Sequence, residues 1–121
     1  MMGVAVMLFA VVGCGSADSA PPAASQTLRI IATEYAFDGD AASISVGETI
    51  RFELVNEGDL DHELQLLNER GTVLGQVPRL APGATGSVEV FFEEAGVYTV
   101  ICDIDDHQFR GQRASFPVDE A

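Results

Sequence analysis

From residue 27 onward the chain alternates apolar and polar side chains in short runs broken by turn residues, the period of two that half-buried β-strands require. In the run Thr49–Asn56, Ile50, Phe52 and Leu54 share one face while Arg51 and Glu53 take the other. The same alternation predicts strands at Leu28–Thr33, Ser43–Val46, His62–Leu66, Ser87–Phe92, Val97–Cys102 and Ala114–Val118, with turns at Gly47-Glu48 and Ala81-Pro82-Gly83. Seven runs over residues 28–118 predict an all-β domain, a two-sheet β-sandwich with Greek-key connections and about seven strands. The stretch from Asn68 to Leu80 has no legible period and is read as a loop or a short helical turn.

The N-terminal segment follows another pattern. Residues 1–13 are uncharged and almost wholly apolar, too short for a bilayer span of roughly 20 residues but the right size for the core of an export signal. The run ends in Val11-Val12-Gly13-Cys14, which resembles the lipobox of bacterial lipoproteins and implies cleavage before Cys14 and lipidation of that residue. No Lys or Arg precedes the apolar run, a departure that points to a start further upstream. Several acyl chains on one Cys anchor stably where a single chain does not. Residues 15–26 are small, polar and Pro-bearing, the composition of a linker. The expected organisation is a lipoprotein signal peptide at 1–13, lipidated Cys14 with a flexible linker to residue 26, and one sandwich domain at 27–121, held extracytoplasmically on the cell membrane.

Charge narrows the function. The 121 residues carry 6 Lys+Arg against 19 Asp+Glu, a net charge of −13, and every base is an Arg. Phosphate contact needs a basic surface, so nucleic acid is excluded as a partner, as is a polybasic clamp onto anionic lipid. Removing the signal removes Met1, Met2 and Met7, so the exported domain has no Met and a single unpaired Cys in an oxidising compartment, where a free thiol needs a reason.

That reason lies in three residues. His62 opens the fourth run, Cys102 closes the sixth, and His107 sits in the loop beyond it. Two imidazoles and one thiolate converging on a rigid sandwich form a trigonal set, the ligand combination of blue-copper electron-transfer sites.

At these residues the chain resembles the cupredoxins, the type 1 copper or plastocyanin-like proteins. The resemblance extends over Val46-Gly47-Glu48-Thr49-Ile50, Asn56-Glu57-Gly58, Leu80-Ala81-Pro82-Gly83 and Ala95-Gly96-Val97-Tyr98. Its centre is the loop from Cys102 to Gln112, spaced as Cys, four residues, His, four residues. The resemblance implies one mononuclear type 1 copper held by His62, Cys102 and His107, with Gln112 where many bacterial members place an axial Met. A side-chain amide is an accepted axial donor, and this harder ligand implies a lower reduction potential than in a Met-ligated relative. Glu63 is a second departure, because many members follow the first His with an Asn or Ser that ties the two ligand loops together. Leu60, Ile104 and Phe109 are the expected apolar collar through which the family passes electrons by an exposed imidazole edge. The acids Asp59, Asp61, Glu63, Asp103, Asp105 and Asp106 crowd the ligands and imply steering of a basic redox partner, a cytochrome or an oxidase domain.

Two His are too few for a multicopper oxidase, and one Cys in the domain is too few for a binuclear copper centre. No oxyanion-hole motif accompanies the Cys and His that a hydrolase would use. The chain is therefore read as a non-enzymatic one-electron carrier, with capture and delivery of copper at the cell surface as the alternative.

Overall fold

The computed structural model describes residues 20–40 and 42–121. The expected signal peptide and Cys14 lie outside the described residues, as does the linker up to residue 19.

Eight strands form two four-stranded sheets. In chain order they are β1 (Gln26–Thr33), β2 (Ala36–Gly39), β3 (Thr49–Asn56), β4 (His62–Leu67), β5 (Val73–Leu80), β6 (Thr85–Phe91), β7 (Gly96–Ile101) and β8 (Arg113–Val118). One sheet runs β2-β1-β3-β6 and the other β5-β4-β7-β8. Only β1 and β3 pair in parallel within the sheets. The two-sheet sandwich is as expected from the alternation; the strand inventory differs in three places. Ser43–Val46 is not a strand, and its one ladder contact is an isolated bridge from Ser45 to Asp119. The segment read as a loop or helical turn between Asn68 and Leu80 contains β5, and the hairpin partner β2 adds an eighth strand.

Each sheet turns one row of apolar side chains inward. Ile50, Phe52 and Leu54 of β3 face Leu64 and Leu66 of β4 and Val100 of β7 across a single core. At one end of it Phe52, Phe92, Tyr98 and Phe116 pack as an aromatic cluster, with Phe92 and Tyr98 edge-to-face at 4.9 Å between centroids. The Tyr98 hydroxyl escapes unpaired burial by donating to the Glu94 carbonyl at 2.6 Å. Where β5 and β6 close the edge of the sandwich, two glycines set the spacing. A Cβ on Gly75 would come within 2.8 Å of Val90, and one on Gly86 within 2.8 Å of Val77.

This topology brings the chemistry to one pole. β4 and β7 are antiparallel neighbours with Gln65 opposite Ile101, so His62 at the start of β4 and Cys102 just past the end of β7 emerge at the same end. β1 runs toward the same pole as β7, from Gln26 at the far end to Thr33 beside the site. Its eight residues span about 26 Å at roughly 3.3 Å each.

Candidate metal centre

Three local structures carry the donor residues. Asn56, fully buried at the end of β3, shapes the loop ahead of His62. Its amide nitrogen donates to the carbonyls of Leu60 and Leu80 at 2.8 and 2.9 Å, and its oxygen accepts from Gly58 N–H at 2.9 Å. After Cys102 the chain closes a tight ring of backbone bonds. His107 N–H donates to Ile104, Gln112 N–H to His107, and Cys102 N–H to Gln112. A short 3₁₀ turn, His107–Arg110, lies inside that ring. Gly111 ends it with φ at 116°, a left-handed conformation that costs other residues energy.

The ring draws the three residues together. The ligand atoms of His62, Cys102 and His107 all lie within 4.8 Å of one another, and all three residues are buried. Cys102 Sγ is 3.5 Å from His107 Nδ1. A metal with bonds of about 2.0–2.3 Å to nitrogen and sulfur in a trigonal plane spaces its donors roughly 3.5–3.7 Å apart, so the pocket fits one such ion.

Two further atoms bear on that fit. His62 Nδ1 and Gln112 Oε1 are buried polar atoms with no hydrogen-bond partner. Buried orphans of this kind are rare in folded proteins and call for a missing partner. Gln112 is fully buried. Its amide nitrogen donates to the carbonyls of Thr33 and Ala36 at 2.8 and 3.1 Å. Two carbonyl acceptors there orient the amide, leaving Oε1 as the free acceptor. The donor set of one thiol, two imidazoles and one amide oxygen suits copper.

Burial raises the Cys102 thiol above its ordinary range, opposed by the backbone N–H groups of Glu63 and Ile104. Glu63, the residue after His62 in β4, ties that strand to the loop beyond Cys102. Its Oε1 accepts from Asp103 N–H at 3.1 Å, linking β4 to the residue after Cys102.

The turn between β1 and β2 supplies residues that sequence reasoning missed. Glu34 Oε1 lies 2.8 Å from His62 Nε2. The same oxygen accepts from Asp59 N–H at 2.9 Å and Leu60 N–H at 2.8 Å. These bonds, that from Leu60 first and that from His62 next, hold the Glu34 carboxyl down to about 2. Tyr35 lays its ring against His107 at 5.1 Å between centroids, and the Arg110 guanidinium lies over the Tyr35 ring at 5.3 Å from its centroid. Neither residue stands near a ligand in sequence; the only signal was an acid and an aromatic at a strand end.

Outside the pocket, His107 borders a shallow cleft of about 300 Å³ lined by Asp59, Leu60, Asp61, Arg79, Ile104 and Asp105. Leu60 and Ile104 of the expected collar therefore lie beside the imidazole. Phe109 stands apart from that cleft and is 83% exposed. The imidazole is less open than expected, His107 being only 4% exposed. Asp61 lies 3.7 Å from Arg79 and Asp106 2.7 Å from Arg110, so part of the acidic rim is paired.

Residues 4–112 match the family of the cupredoxin-like domain, and the chain belongs to it. Among solved structures it is similar to dithionite-reduced auracyanin from the photosynthetic bacterium Roseiflexus castenholzii, at 16% identity over 83% of this chain and 99% of that one, TM-score 0.67. It is also similar to auracyanin A, described as a "blue" copper protein, from the green thermophilic photosynthetic bacterium Chloroflexus aurantiacus, at 17% identity over 78% of this chain and 98% of that one, TM-score 0.64. A third likeness is to a chain of a heme-copper terminal oxidase dimer, at 21% identity over 78% of this chain and 64% of that one, TM-score 0.58. At these identities the likeness is one of fold. No curated protein matches the sequence.

Proposed function

We propose that this cupredoxin binds one copper ion through His62, Cys102 and His107, with Gln112 Oε1 as axial donor, and acts as a one-electron carrier. The observation that carries the proposal is the convergence of three buried donors within 4.8 Å, beside two buried acceptor atoms that nothing else satisfies. Copper held there supplies a Cu(II)/Cu(I) couple. The chain's part is to keep the donors still. His62 is tied to Glu34, Gln112 to two carbonyls, and His107 lies inside a hydrogen-bonded ring. Donors fixed in this way favour repeated electron transfer over capture and delivery, which needs a site that opens. Voltammetry of the copper-loaded protein is expected to give a reversible one-electron wave, with the metal retained against a chelator through repeated cycles. Loss of copper to the chelator on reduction would support delivery instead.

The carrier reading extends to anchor and partner. Lipidation at Cys14 would hold the domain outside the cytoplasmic membrane, and β1 enters the sandwich at the pole opposite the metal pocket. With the anchor ahead of β1, the pocket at the other end of that strand would face away from the lipid. Mass spectrometry of the membrane-derived protein is expected to find acyl chains on Cys14, and C14A is expected to release it; an unmodified Cys14 in membrane-bound protein would contradict the anchor. Asp59, Asp61 and Asp105 on the cleft beside His107 support a redox partner with a basic surface. The fold shared with a chain of a terminal oxidase is in keeping with a cytochrome or oxidase domain in that role.

A further inference from the structure

Three of the four proposed donors are indexed to one short turn, Thr33 to Ala36, that contributes no ligand itself. The carbonyls of Thr33 and Ala36 orient the Gln112 amide, Tyr35 packs on the His107 ring, and Glu34 meets His62. The Glu34 contact carries the most chemistry. A carboxylate only accepts hydrogen bonds, so the short contact at 2.8 Å requires the proton on His62 Nε2. The imidazole is thereby held as the Nε2–H tautomer, with its lone pair on Nδ1, the atom left without a partner. Backbone N–H groups of Asp59 and Leu60 fix the same carboxylate oxygen, so Glu34 is itself held. Gly58 provides the room. A Cβ there would collide with the Glu34 carboxylate, and only glycine lets the loop pass so near.

We propose that Glu34 is a positioning residue for the metal centre, locking the tautomer and ring orientation of His62 and, as a carboxylate behind the imidazole, favouring Cu(II) over Cu(I). A carboxylate that accepts a ligand's remote N–H makes the imidazole a stronger donor, and loss of such a partner costs about 10- to 100-fold in metal affinity. The oxidised ion gains more from a stronger donor than the reduced one. Glu34 thus acts on the potential without touching the metal.

The inference rests on the copper reading, and its test separates the two. Nitrogen NMR of the metal-free wild-type protein is expected to show His62 as the Nε2–H tautomer; an Nδ1–H tautomer overturns the inference whatever copper does. In copper-loaded protein, E34Q is expected to lower the ratio of Cu(II) to Cu(I) affinity at least tenfold, a rise in potential of about 59 mV. D105N, which removes a nearby charge with no bond to His62, is expected to move it less. A shift in E34Q no larger than that of D105N would reduce Glu34 to a distant charge and overturn the positioning role. If the wild type instead binds no copper while its tautomer is as stated, the copper reading fails and the positioning of His62 stands.

Discussion

Gln112 is the proposed axial donor, and the reduction potential is expected to turn on it. An amide oxygen is a harder donor than a thioether and favours the oxidised ion. Q112M is expected to raise the reduction potential by about 59 mV or more, a tenfold change in the ratio of affinities; an unchanged or lowered potential in voltammetry would contradict axial ligation. Asn56 matters differently, through three hydrogen bonds made in full burial. N56A leaves the Leu60 and Leu80 carbonyls short of a donor and is expected to cost about 2–3 kcal/mol in urea denaturation. A loss below about 0.5 kcal/mol would mean that water replaces the side chain. At this scale the three residues that converge were legible because the residue types are scarce: the chain has only two His, and the domain one Cys. Gln112 was singled out by its spacing after His107. Glu34 was not, because it is one of 19 acids and meets His62 across 28 positions of sequence. Only the folded turn singles it out.

Among the strands, β3, β4, β6, β7 and β8 lie close to their expected places because each sets a less exposed row of side chains against a more exposed one in regular alternation. The strands that escaped sequence reading have weak faces. β5 is an edge strand in which only Val77 is buried, and Pro78 interrupts its donors. An edge position tolerates such a residue, whereas a central strand does not. β2 is four residues long and ends in Asp-Gly. Ser43–Val46 shows the opposite error: it alternates, yet it lies between β2 and β3 with only Ser45 bridged. The β5–β6 closure explains why β5 holds despite its pattern, since Gly75 and Gly86 let the two strands approach. G86A forces a methyl group against Val77 and Leu80 and is expected to destabilise the fold by about 1–3 kcal/mol. A denaturation midpoint equal to wild type would show that the edge relaxes freely.

Over the whole molecule the net charge of −13 sets how it meets others. Asp59, Asp61 and Asp105 border the cleft beside His107, and Arg79 and Arg110 offset part of that field. The association rate with a basic cytochrome is expected to fall steeply as ionic strength rises, because steering weakens as salt screens exposed charges. A rate independent of salt in stopped-flow measurements would place the contact on apolar surface alone. The fold, the polarity of the sandwich and the converging donors lead to one claim, that Cys102 and the two imidazoles are assembled for a single copper ion. Adding Cu(II) to the metal-free protein and recording the visible spectrum tests it most directly. The expected result is an intense sulfur-to-copper band that saturates at one equivalent and is absent in C102S; no such band, or one that survives in C102S, would contradict the account.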